Sequence, residues 1–238
     1  MLPEEDREMV LQEHLAELRT RLTRILIAFL IGIAIIFPFS NRLIRVFWNH
    51  IFNKELKIIV YSPLEWIIVQ LVFSFVLALL VLYPYVVYEL YKFARPGLYK
   101  REKRFIKMFV PFSYALFLLG VGFAYFIIIP KLYSLATVEY FGAQPYLSIK
   151  KTLYNALKIF VAFGLVFQIP ALITIAVKLE LLNSKWLKEK RLLIYLAVLI
   201  LATNITLDIT GLSQLIILAL VVIMYELGII LARMMEKH

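Results

Sequence analysis

One carboxylate stands among cations in FARPGLYKREKRF, residues 93–105. Five of those residues are Lys or Arg, and Glu102 is the acid. If the chain is helical after Pro96–Gly97, the neighbours of Glu102 at helical spacing are Leu98, Tyr99, Phe105 and Ile106. The basic residues fall on other faces, so the acid is not neutralised along its own helix. A carboxylate on an apolar face requires a cation from elsewhere. One source is an Arg of this chain, Arg19 or Arg95. The other is a cationic ligand, for which a guanidinium is the suited partner. Spacing leaves both open.

Other polar residues have simpler explanations. In SPLEW (62–66), Ser62 is placed to cap a helix, Pro63 to open it and Glu65 to reach back to the Ser62 amide. Gln168, in FGLVFQIP, needs a partner at membrane depth. A backbone carbonyl freed by Pro170 is one candidate, and a docking transmembrane helix is the other. Glu226, in YELG, can snorkel or pair with Arg233. In MVLQEHLAELRTRL (9–22), Leu11, His14, Leu15, Leu18 and Leu22 form one stripe, with Glu17 and Arg21 an i,i+4 pair on another face. His14 reads as a packed residue.

Catalytic signatures are missing. There is no H-E-x-x-H, no G-x-S-x-G and no phosphate-cradling Gly loop. The chain has no Cys and three His, so neither a metal site nor a cofactor is expected. The expectation is a protein that is not an enzyme.

Long apolar segments position these residues. The chain is 63% hydrophobic over 238 residues, with a mean hydropathy of +0.86. The expected fold is an all-α polytopic membrane protein, a single integral membrane domain over 1–238. Six spans are predicted at about 22–39, 64–88, 105–130, 153–177, 192–203 and 215–231, the fifth and sixth short. LLIYLAVLILAT, the fifth, is only roughly 18 Å of helix. No removable signal peptide is expected in the charged first residues. Placing both termini in the cytoplasm puts 18 of the 26 Lys and Arg inside. The net charge of +10 therefore reports topology and not nucleic-acid binding. Residues 40–63 predict an amphipathic outer helix, and 132–153 a partly helical outer segment.

Together these residues resemble the TatC family, the multispanning subunits of the twin-arginine protein translocase. HLAELRTRL (14–22), SPLEW (62–66), FARPGLYKREKR (93–104) and GLSQ followed by MYELG (211–228) match its pattern in order. The resemblance implies a receptor core in the cell inner membrane. It would bind signal peptides bearing two consecutive arginines and export folded cargo using the proton gradient. It implies a signal-peptide site containing Glu102, Phe93, His14, Leu18 and Arg19, with Leu98 and Tyr99 beside the acid. It implies TatA and TatB, single-span subunits, as partners, together with self-association in the bilayer. Gln168, Thr206 and Gln214 are then candidate docking positions for partner helices. TLDITGLSQ (206–214) departs from the family's T-P-x-P-D-x-x-S-Q: both prolines are missing, and Thr210 stands where the Asp would align, so Asp208 carries over only weakly. The alternative from another class is a small transporter or channel with a polar path near Gln168 and Glu226.

Overall fold

The computed structural model describes residues 11–52, 58–136, 147–205 and 212–236. Helices dominate. α1 (Leu11–Ile36) runs through a 3-10 turn at Phe37–Phe39 into α2 (Ser40–Ile51). The expected amphipathic helix after the first span is therefore α2. It turns Ile44, Phe47, Trp48 and Ile51 into the protein and leaves Leu43 and Val46 exposed.

α3 (Pro63–Ala94) starts at the Ser-Pro signal and ends in a 3-10 turn at Arg95–Gly97. α4 (Lys100–Phe123), a π-helical turn (Ala124–Ile128) and α5 (Ile129–Ala136) form the next rod. α6 (Ile149–Val166) and α7 (Ile169–Lys178) are one span interrupted before Pro170, which lacks the N–H that would continue the ladder. α8 (Ser184–Glu189) is a short connector, followed by α9 (Arg191–Ile205) and α10 (Leu212–Glu236).

Five helical stretches among the described residues are long and apolar enough to cross a membrane. α9, at 15 residues, is the shorter sixth candidate, about 22 Å long. The sixth predicted span is not short: α10 has 25 residues. The apolar run ends at Leu231, but Arg233, Met234 and Glu236 are good helix formers and carry the helix on. All-α also needs one amendment. Ile58–Ile59 and Leu147–Ser148 form a parallel two-residue pair that ties the segment before α3 to the start of α6.

The core lies where α2, α3, α6 and the end of α4 meet, around Phe47, Phe73, Leu153, Phe160 and Phe163. Close approach of α4 and α6 depends on glycine. A Cβ on Gly120 would lie 2.6 Å from the Phe163 carbonyl oxygen, and one on Gly164 2.6 Å from the Phe117 ring. In a bilayer without a hydrophobic drive between helices, such small residues permit tight packing. A second cluster, Ile173, Val177, Leu187, Tyr225, Ile229 and Ala232, joins α7 and α8 to α10. The exposed Leu and Ile along α1 are what a lipid-facing helix presents.

Candidate functional site

The N-terminal part of α1 packs antiparallel against the end of α3. His14 stacks on Phe93, with ring centroids 4.4 Å apart and planes at 27°. Two turns along α1 from His14, Arg21 donates Nη1–H to Glu89 Oε2 at 2.9 Å. Arg21 also pairs with Glu17 on its own helix, Nε to Oε1 at 2.9 Å. Glu89 is only 4% exposed. One guanidinium thus serves two carboxylates from two helices, and it supplies the charge that a buried Glu89 needs.

This placement corrects the helical wheel. Glu17 and Arg21 do not sit away from the packed side. His14, Leu18 and Arg21 follow each other at four and three residues, which is the face turned to α3. Leu15 and Leu22 point out instead, both more than half exposed. Arg19 is exposed as well.

The first loop closes on the same end. Tyr91 of α3 donates its hydroxyl to the Lys103 carbonyl of α4 at 3.2 Å. Leu98 is buried and its N–H bonds the Arg95 carbonyl at 3.2 Å, whereas Tyr99 is exposed. Glu102 is half-buried at the third position of α4, where Oε2 accepts the Tyr99 N–H at 2.7 Å. This is the acid's half of a capping box. The demand for a cation from elsewhere is therefore weaker than spacing alone indicates. Among the described residues neither Arg19 nor Arg95 forms an ion pair with Glu102. The backbone amide satisfies one oxygen, and the helix N-terminus favours the negative charge. Glu102 Oε1 has no partner among the described residues.

The other polar positions resolve into separate clusters. Gln168, buried at the α6–α7 break, accepts hydrogen bonds at Oε1 from Tyr83 at 2.6 Å and Ser113 at 2.5 Å. Its Nε2 donates to the Ser113 carbonyl at 3.1 Å. Its partners are α3 and α4 of its own bundle, not a carbonyl freed by Pro170. Glu226 pairs with α9: Tyr195 donates to Oε1 at 2.8 Å and Arg191 Nη1 lies 3.3 Å away. Arg233 is not its partner among the described residues; Arg191, at the start of α9, takes that place.

At the opposite end, Pro63 opens α3 and Ser62 stands at the N-cap position, but its side chain makes no capping hydrogen bond, so the expected cap is not formed by Ser62. The carboxylate of Glu65 takes the Tyr61 N–H at 2.8 Å, one residue earlier than the Ser62 amide. Its other oxygen lies 3.5 Å from the Ser148 hydroxyl, so Glu65 also braces α3 against α6. Asn41 Oδ1 accepts from Trp66 Nε1 at 2.9 Å and Gln70 Nε2 at 2.6 Å beside it. Gln214 is half-buried near the start of α10. Thr206, Asp208 and Thr210 lie outside the described residues.

No cluster of three His, Asp or Glu able to hold a metal occurs among the described residues. Arg21 and Glu89 are the pair that sequence reasoning missed. No local spacing points to it: Arg21 already has Glu17 four residues away on its own helix, and Glu89 lies 68 residues along the chain.

Comparison with known proteins agrees with this architecture. The family model described as Sec-independent protein translocase protein (TatC) matches residues 13–235. A Sec-independent protein translocase protein TatC from Methanocella arvoryzae is 38% identical over 233 residues, 98% of this chain and 97% of that protein. One from Aquifex aeolicus is 31% identical, covering 96% and 97%. The crystal structure of a twin arginine translocase receptor, TatC, superposes with a TM-score of 0.82 at 29% identity, over 93% of this chain and 99% of that one. With a family match over residues 13–235 and the same helical bundle, the chain belongs to the TatC family, multi-pass membrane subunits of a protein translocase and not enzymes.

Proposed function

We infer that this chain is the receptor core of a twin-arginine translocase. It binds signal peptides carrying two consecutive arginines at the end of the bundle formed by α1, the close of α3 and the start of α4. The observation that carries this reading is the stack of His14 on Phe93, which draws the N-terminal signature and the first basic loop together. Glu102 stands on that loop, and among the described residues only its Oε2 is engaged, by the Tyr99 N–H. Leu18, on the same face of α1 as His14, supplies apolar surface; Leu98 is buried in the loop, and Arg19 and Tyr99 are exposed.

Glu102 contributes a charge-assisted, bidentate-capable acceptor for an arginine. Its neighbouring cations do not forbid this. Exposed charges beyond about 8 Å are largely screened at physiological salt. They also face anionic headgroups, which hold the loop at the surface. In this reading both termini are cytoplasmic in the inner membrane, single-span TatA and TatB subunits dock on the exposed helices, copies self-associate, and the proton gradient drives export. Gln214 and Thr206 remain candidate docking positions. Gln168 is less suited, because its amide is already engaged within the bundle.

The test is photo-crosslinking. A probe placed beside the arginine pair of a signal peptide should label α1 and the start of α4 in the full chain. Labelling confined to the opposite end, near Glu65, would refute the assignment.

A further inference from the structure

We propose that the α7–α9 connection is a binding site for an anionic phospholipid, with Lys178 and the face of α8 holding the headgroup. The proposal is independent of which peptide the chain reads. Residues 178–191 carry five cations (Lys178, Lys185, Lys188, Lys190 and Arg191) against two acids, Glu180 and Glu189.

The connection is built, not loose. α7 ends in a turn at Glu180, whose φ is +57°, and the Leu181 N–H returns to the Ala176 carbonyl at 2.9 Å. Asn183 caps α8 by accepting the Lys185 N–H at 2.9 Å. Leu187 is buried, and Tyr225 of α10 donates its hydroxyl to the Leu187 carbonyl at 2.9 Å. With Ser184 and Leu187 turned inward, α8 presents Lys185 and Trp186 outward.

What this rigid piece exposes is unusual for a surface that meets only water. Leu181 is 71% exposed and Trp186 46% exposed, next to those cations. An apolar ring with a polar edge beside Lys side chains is the composition of a membrane interface. An open cleft of about 710 Å³ adjoins it, lined by Lys178, Glu180, Leu181, Asn183, Ala232 and Met235. Lys178 Nζ reaches the Met235 carbonyl at 3.4 Å, a weak contact that leaves further N–H groups for a phosphodiester. The cap uses the Asn183 oxygen, and its amide N–H groups are the donors it has to offer a phosphodiester. In the cleft itself Glu180 balances Lys178. Arg191 is paired with Glu226, so the cation excess comes from Lys185, Lys188 and Lys190 against Glu189 on the adjoining connection, and it favours an anionic headgroup over a zwitterionic one. Leu181 and Trp186 supply the apolar ledge for the first acyl carbons.

The experiment is Trp186 quenching in the reconstituted full chain. Vesicles of phosphatidylcholine receive a minor fraction of either dibrominated phosphatidylglycerol or dibrominated phosphatidylcholine. Subtracting the Trp186→Phe variant isolates the Trp186 signal from Trp48 and Trp66. Each cation near an anionic surface is worth roughly fivefold in occupancy. Brominated phosphatidylglycerol should therefore quench Trp186 several-fold more effectively. Lys178→Gln together with Lys185→Gln should abolish the preference while the protein still elutes as the parent does. Equal quenching by the two lipids, no quenching by either, or a preference surviving the Lys substitutions would each overturn the proposal.

Discussion

Arg21 of α1 and Glu89 of α3, 68 residues apart, meet at 2.9 Å and fix the register of two antiparallel helices. Glu17 completes the group from the next turn of α1. Because Glu89 is almost wholly buried, removing Arg21 strands a carboxylate in a dry place. Arg21→Leu should cost roughly 3 kcal/mol of stability, in the range for breaking a buried pair. Arg21→Leu with Glu89→Leu should recover much of that loss. Thermal unfolding in detergent of both single variants and the double variant checks it. Additive losses would show that the two residues act separately.

The polar knot of Gln168, Tyr83 and Ser113 holds three helices that each carry a proline nearby, at Pro170, Pro84 and Pro111. Gln168→Leu removes the acceptor that both hydroxyls use. The expected loss is about 1–2 kcal/mol, typical of interhelical hydrogen bonds in membranes. A thermal-stability assay reads it. An unchanged midpoint would mean the knot is dispensable and would return Gln168 to the list of partner-docking positions.

Gly120 admits no side chain without moving backbone, since the first obstacle is the Phe163 carbonyl oxygen. Gly120→Val should destabilise by about 1–3 kcal/mol, the cost of overpacking. Gly122, with open space around its Cβ position, is the control on the same helix. Gly122→Ala should leave the unfolding midpoint within a degree or two. Equal effects at both positions would contradict the close packing of α4 on α6.

Gln168 and Glu226 belong to different clusters, one joining α3, α4 and α6–α7 and the other joining α9 and α10. A continuous polar path between them, as a transporter would need, is not what these contacts build. Liposomes containing this chain alone should show no solute or ion flux above protein-free vesicles in a fluorescence release assay. Flux that depends on Glu226 would revive the channel reading.

Much of the fold was legible because apolar runs and helix-start signals are local. Ser62–Pro63 marks the beginning of α3, and Pro170 marks the break in the fourth span. The partners of polar residues were harder, because they are set by which helices are neighbours. Arg21 had an apparent partner in Glu17, so nothing in the spacing called for Glu89. Glu226 found Arg191 and not Arg233 for the same reason. The cap at Glu102 was hidden differently. Its N-cap residue is Tyr99, outside the Ser, Thr, Asp and Asn set that announces a helix start. The extent of α10 was underestimated because hydropathy ends before helix propensity does.

Glu102 gives the most direct test of the receptor reading, since Gln can replace Glu in a capping box but carries no charge. The measurement is the affinity of a labelled twin-arginine signal peptide for the reconstituted chain and for Glu102→Gln, with unfolding midpoints recorded alongside. Hydrogen bonds to charged groups are worth about 1.5–3 kcal/mol, so Glu102→Gln should weaken binding roughly tenfold or more. Its midpoint should match the parent, because the bond to the Tyr99 amide survives. Unchanged affinity in a folded Glu102→Gln chain would show that Glu102 only caps α4 and that another group reads the arginines.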